Sequence, residues 1–290
     1  MGAQIAILLS GYIREPQFDS LARNIVAPNV AAGNKIFIYA STWDTQGKVI
    51  HVDTHSKIFT GVEYWSGAVR SYDNAPIDKP WLESELSRLS AGKFAVRYSN
   101  YATHAEEWLS QLRDRHGFER GKDEHTILRI KGMWFGMKDV FDLVKRPETY
   151  DVMMRCRFDI KFQDPVVVML RRPFFKKHRM IQVGNREYDL DALTNEDNPH
   201  ISRVRGRTAR GLHPRHTLLV PRRENAYIDD WFAVGTASSM GAHMSAYASL
   251  DDYFDQMRQW PEPFESESIV VLNALKKRIG LTTFPKTMYQ

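Results

Sequence analysis

Residues Ile5 to Leu9 form an unbroken apolar run, and this run constrains the fold more than any other stretch. A strand that is apolar at every position is covered on both faces, as strands in parallel sheets are. The run ends in Ser10-Gly11. Pro16 then opens a helical pattern with Phe18, Leu21, Ala22 and Ile25 on one face, closing near Pro28. A second apolar run, Ile36 to Ala40, leads into Ser41-Thr42-Trp43-Asp44. Strand, helix, strand in this order is a βαβ unit, so the sequence predicts an α/β fold with a mostly parallel central sheet. Ligands of such sheets sit beyond the carboxyl ends of the strands. Ser10, Gly11, Arg14, Trp43 and Asp44 all fall there. Neither a dinucleotide-type glycine pattern nor a P-loop accompanies them.

The second informative stretch is Tyr150 to Phe162, which alternates with period two. Val152, Met154, Cys156, Phe158 and Ile160 read as a core-facing side. Asp151, Met153, Arg155, Arg157 and Asp159 take the other side, with its charges spaced at roughly 6.6 Å, twice the rise per strand residue. Burying such charges is costly unless they pair with each other, a metal or a ligand. Two arginines beside an aspartate suit a phosphate-bearing ligand with a bridging divalent cation. The same pattern also suits an Arg–Asp ladder on a solvated edge strand. The helix predicted over Thr126 to Lys145 feeds directly into this strand. Its stripe of Ile130, Met133, Trp134, Met137, Phe141 and Val144 reads as core. Gly132 and Gly136 suggest close approach to a neighbouring backbone. Arg129, Lys131 and Lys138 lie off the stripe; one of them could reach a phosphate, and a solvated face is the commoner fate of such residues.

Length and composition bound the rest. The chain has 290 residues, 43% hydrophobic and 26% charged, which fits an ordinary globular protein able to bury a core. Its net charge of +5 suits anionic ligands but is too small to establish nucleic-acid binding. The single cysteine, Cys156, falls on the core side of its strand, so it reads as packing rather than as a catalytic thiol. With no disulfide framework, no signal-peptide pattern and no transmembrane run, the expected location is cytoplasmic.

Elsewhere the pattern predicts a short helix over Pro80 to Leu89, a strand over Phe94 to Tyr98, and a capping box of Thr103 with Glu106. His51 and His55 lack a third partner for a metal. The basic tract from residue 171 to 223 reads as a long inserted loop or lid within a single domain, 1–290. Asp229-Asp230 precedes a short strand, Trp231 to Gly235. Ser266 is expected to cap a final helix carrying Glu265 and Glu267 at its N-terminus, with Gly280 as the stop.

Four stretches resemble a GT-A-type, nucleotide-sugar-dependent glycosyltransferase of the bacterial or viral surface-polysaccharide kind. They are LLSGYIRE after the first strand, FIYASTWD, the helix running into YDVMMRCRFDI, and IDDWFAVGTASSM with the FESES helix. The resemblance implies a Rossmann-like domain that moves a sugar from a nucleoside-diphosphate sugar to a hydroxyl of a glycan or lipid-linked acceptor. It places Ser10, Gly11, Arg14, Asp44, Lys131, Arg155 and Arg157 at the donor and Asp159 at a Mn²⁺ or Mg²⁺ ion. R-F-D stands where two carboxylates are usual, so an arginine could replace one of them in neutralising diphosphate. Asp230 or Glu267 would be the base that deprotonates the acceptor. Peripheral membrane contact would follow from a lipid-linked acceptor, and no specific nucleic acid is expected. Another nucleotide-dependent transferase (sulfo- or phosphotransferase) and a nucleic-acid-binding protein using the basic tract are the alternatives from other classes.

Overall fold

The computed structural model of the protein describes residues 2–13, 16–45, 75–113, 124–171, 178–192, 199–208, 215–222, 230–260 and 265–285. The chain begins with the βαβ unit. Strand β1 (Gln4–Ser10) is followed by α1 (Phe18–Leu21), a π-helical turn (Ala22–Val26), α2 (Ala27–Ala31) and β2 (Lys35–Trp43). Pro28 does not close this helical segment. It follows the π-helical turn directly, inside one continuous helical segment, and the helix runs on to Ala31. Next come α3 (Lys79–Ser90), β3 (Phe94–Ser99), α4 (Tyr101–Arg113), α5 (Glu124–Asp142) and β4 (Val152–Cys156). The α4 helix is capped by Asn100, whose side-chain oxygen accepts from the Thr103 N–H, rather than by a box built on Thr103.

The tract expected to be an inserted loop contains regular structure wherever it is described. After β5 (Val166–Arg171) it supplies β6 (His178–Val183), β7 (Arg186–Asp189), α6 (Pro199–Thr208) and β8 (His216–Arg222). The chain then completes itself with β9 (Phe232–Gly235), α7 (Ala237–Met244), α8 (Leu250–Arg258), α9 (Ser266–Lys277) and β10 (Ile279–Pro285). Gly280 is not the stop of α9. Arg278 takes the left-handed position, at φ 58°, and Gly280 already belongs to β10.

Seven strands form the central sheet in the order β10-β8-β9-β4-β1-β2-β3. β1 lies between β2 and β4, parallel to both, and β3 and β10 extend the sheet in parallel at either edge. β9 is antiparallel to both of its neighbours. This is the mostly parallel, helix-flanked α/β sheet expected from the βαβ pattern. Alternation along β1 sends Ile5, Ile7 and Leu9 to one core and Ala6 and Leu8 to the other. The first core lies under α1, α2, α3 and the small antiparallel sheet β5-β6-β7; the second lies under α5 to α9. Each Ile or Leu buried this way contributes about 1.5–3 kcal/mol.

Buried asparagines tie the small sheet to the first βαβ unit. Asn29 donates to the Ile25 and Val166 carbonyls and accepts from the Val168 N–H, while Asn34 bonds Ala3, Asn29 and the Val168 carbonyl.

Candidate active site

The carboxyl ends of β1 and β4 lie beside the amino end of β9, because β1 and β4 are parallel neighbours and β9 runs antiparallel to β4. Ser10 ends β1 with its side chain buried, and Gly11 follows at φ +117°, a conformation that glycine adopts at least cost. Behind this turn runs α5. A Cβ on Gly136 would lie 3.7 Å from the Gly11 nitrogen, and one on Gly132 would lie 3.2 Å from the Tyr101 ring. The contact at Gly136 is ordinary van der Waals spacing and the neighbours of Gly132 are aromatic side chains, so of the two only Gly136 faces a neighbouring backbone, and it does so without tight packing.

β4 is a central strand, so both of its faces are covered and the edge-ladder reading does not apply. Arg155 is 1% exposed. Its guanidinium donates to the Asp230 carbonyl, and its Nε lies 3.4 Å from the Ser10 hydroxyl. Burial lowers its pKa to about 10, opposed by the charge of Asp230, so the side chain remains a cation at neutral pH. The place of Arg155 is therefore inside the protein and not on the surface a ligand meets. On the core side of the strand, burial pushes the Cys156 thiol up to about 12, which keeps it a neutral packing group.

Arg157 lies beyond the end of β4 and is partly open to solvent. It holds Asp159 through two bonds of 2.9 and 2.6 Å and stacks 5.1 Å from the centre of the Trp231 ring. A shallow crevice beside it is lined by Leu9, Gln17 and Phe18. Both Asp159 oxygens face this guanidinium. Among the described residues, Asp159 belongs to no group of carboxylates and imidazoles able to share an ion. A cation at Asp159 would have to compete with Arg157 for both oxygens.

Among the described residues, a group that could hold a metal lies elsewhere. His178, Asp189 and Asp191 offer ligand atoms within 4.8 Å of one another. They lie towards the side where the central strands begin. Ala192 accepts from Thr217 at the start of β8, and Val168, three residues before the Arg171–His178 pair, accepts from Asn34 ahead of β2. Arg179 already pairs with Asp191, and Asp189 accepts from the Asp191 N–H.

Asp230 is 5% exposed and stands immediately before Trp231 and β9. Its Oδ2 accepts from the Ser266 hydroxyl, which also lies 3.2 Å from Glu267 Oε2. The two candidate bases are thereby joined through Ser266. The N-cap of α9 is Glu265, which frees the Ser266 hydroxyl from capping; Glu265 accepts from Ser268 and lies 3.6 Å from Arg203 of α6. The sequence reading gave Ser266 only a capping role and Trp231 only a place in a strand, and named neither as a site residue. The short Glu-Ser-Glu run was the available sign for Ser266, but it is also an ordinary helix start.

The remaining candidates spread out. Asp44 lies beyond the end of β2 and accepts from Asn100 at 2.9 Å, closing the gap between β2 and α4. Lys131 is buried, and its ammonium meets Asp251 of α8 at 2.8 Å. Arg14, His51, His55 and Asp229 lie outside the described residues. Beside Gly11 there is an aromatic layer. Tyr12 packs on Trp43 and Tyr101, and Trp43 stacks on Phe135 at 5.4 Å. Trp108 and His104 complete it.

No protein-family model and no curated protein matches the chain. One of the solved structures that do match is the galactosyltransferase LgtC, determined in complex with donor and acceptor sugar analogs. It aligns over 96% of this chain and 73% of its own, at 9% identity and a TM-score of 0.38. Likeness that distant says nothing of what this chain binds or transfers. No helix among the described residues is long and apolar enough to cross a membrane.

Proposed function

We propose that the protein is a glycosyltransferase that moves a sugar from a nucleoside-diphosphate sugar to a hydroxyl of a glycan or lipid-linked acceptor. The observation that carries this reading is one hydrogen-bonded line across three strand ends: Ser10, Arg155, Asp230, Ser266 and Glu267. The Gly11 turn and the Arg157 guanidinium lie at the same sheet end as the carboxylates of Asp230 and Glu267. Asp230 takes the proton of the acceptor hydroxyl. The freed oxygen forms its bond to the anomeric carbon while the bond from that carbon to the diphosphate oxygen breaks. The departing nucleoside diphosphate leaves with the bonding pair, and Arg157 offsets its developing charge. Glu267 sits one hydroxyl away from Asp230 and would share the acceptor proton's environment. Because Asp159 is already held by Arg157, no step is routed through a metal there.

The test is thermal unfolding against UDP-, GDP-, CMP- and dTDP-sugars, followed by product analysis with the donor that stabilises. A bound ligand at a hundredfold excess over its Kd adds about 2.7 kcal/mol. A shift confined to one nucleotide class and lost in Arg157→Ala is the expected result. No shift with any donor would overturn the reading.

A further inference from the structure

Arg155 is the residue whose observed place differs most from the one its charge suggests. A guanidinium buried in the middle of a sheet is expensive, and an apolar side chain of similar volume would serve packing as well or better. Its neighbours along β4, Met154 and Cys156, are of that kind. What the guanidinium does instead is join two strand ends that are not adjacent. β1 pairs with β4 on one side and β9 pairs with it on the other, and Arg155 reaches from the Ser10 hydroxyl to the Asp230 carbonyl.

Resting on the proposed transfer reaction, we infer that Arg155 is a positioning residue: it holds the Asp230 peptide in register with the Ser10 end of β1 and sets its guanidinium charge beside that residue. It touches neither donor nor acceptor. The charges around Asp230 come from several elements. Arg155 approaches from β4, and Arg157 and Asp159 follow that strand. Ser266 and Glu267 come from α9. His243 of α7 is also near enough to feel Arg155, and burial, its larger influence, keeps its imidazole neutral. Arg155 is thus the buried cation next to Asp230. The coupling between them, which favours the charged form of Arg155, equally favours the charged form of Asp230.

The experiment uses the full chain as wild type, Arg155→Lys and Arg155→Met. The Asp230 carboxyl carbon is followed by ¹³C NMR through a pH titration, its resonance identified by its loss in Asp230→Asn. Turnover and nucleotide Kd are measured alongside. The expected midpoint of Asp230 rises by about one pH unit in Arg155→Lys and by more in Arg155→Met. Turnover is expected to fall on the order of 30-fold in Arg155→Met, with partial recovery in Arg155→Lys and nucleotide Kd within about threefold of wild type. If Arg155→Met does not fold, Arg155→Lys carries the comparison. An unchanged Asp230 midpoint in the folded variants overturns the inference, as does a Kd that weakens while turnover stays constant. A wild type that binds no nucleotide-sugar, yet whose Asp230 midpoint moves in Arg155→Lys, would sink the transferase reading and leave the positioning role standing.

Discussion

Ser266 donates its hydroxyl proton to the carboxylate of Asp230, from the first turn of α9 to the residue two before β9. One hydroxyl proton cannot satisfy two carboxylates at once. Glu267, 3.2 Å from the same oxygen, is the less favoured acceptor. The arrangement orients Asp230. Asp230→Asn is therefore expected to lower turnover by roughly 10²–10⁴, the usual contribution of a general base. Glu267→Gln should cost far less, about tenfold. Ser266→Ala removes a bond to a charged group, a loss of roughly 1.5–3 kcal/mol. Steady-state kinetics with nucleotide affinity measured in parallel separates these effects. A larger loss in Glu267→Gln than in Asp230→Asn would exchange the two roles.

The parts of the fold legible in the sequence are those in which burial is complete over a continuous stretch. Ile5 to Leu9 and Ile36 to Ala40 announce a parallel pair because every residue is apolar, and β1 and β2 are where those runs are. β8 and β10 were not legible. Leu218 to Val220 is a short apolar core inside a basic tract, and β10 carries Gly280, Thr282 and Thr283 among its apolar residues. Each becomes a strand because it pairs with the other and not because of its own pattern. The alternation in β4 assigned sides correctly but not environments. Both faces of a central strand are buried, so Arg155 turned inward, while Arg157 escaped only because the strand had ended. Asp230 and Glu267 each stood out locally; their junction through Ser266 is a tertiary fact with no local sign.

Arg157 and Asp159 make a second prediction. In the free protein they neutralise one another, and a diphosphate must compete for the guanidinium. Removing the aspartate should release it. Asp159→Asn is expected to bind nucleotide in chelator-treated buffer at least as tightly as wild type. Arg157→Ala should weaken binding on the order of 10- to 150-fold, the value of a hydrogen bond to a charged group. Calorimetry in EDTA and in Mn²⁺ measures both. A tenfold loss of affinity in Asp159→Asn, seen only with Mn²⁺, would instead put a cation on that carboxylate.

Asn29 predicts a stability effect far from the strand ends. Its side chain bonds the Val168 N–H and the Ile25 and Val166 carbonyls, all buried. Asn29→Ala leaves these groups without partners, and each orphaned group costs roughly 1–3 kcal/mol before relaxation. A destabilisation of about 2–4 kcal/mol in urea is expected, with little change in nucleotide affinity. Asn29→Asp should cost as much or more, because it keeps the acceptor, loses the donor and buries a charge.

His243 sets how the protein responds to acid. It is buried on α7 with its ring 5.2 Å from Trp134, and burial first, then Arg155, lowers its pKa from 6.5 to about 3. The unfolded chain therefore binds a proton at this residue between about pH 6.5 and pH 3 that the folded protein refuses. Stability from this group is fully present above pH 6.5 and is lost progressively as the pH falls towards 3. One such proton corresponds to a slope of up to about 1.4 kcal/mol per pH unit. Carboxylates titrate over the lower part of the same range, so the comparison has to be differential. Urea unfolding of wild type and His243→Leu at pH 7.5, 6.0 and 5.0 isolates the histidine, since Leu keeps the volume and removes the proton site. The variant is expected to lose less stability than wild type between pH 7.5 and 5.0. Parallel losses in the two proteins would mean that the imidazole accepts its proton in the folded state, and that Arg155 does not stand close enough to oppose it.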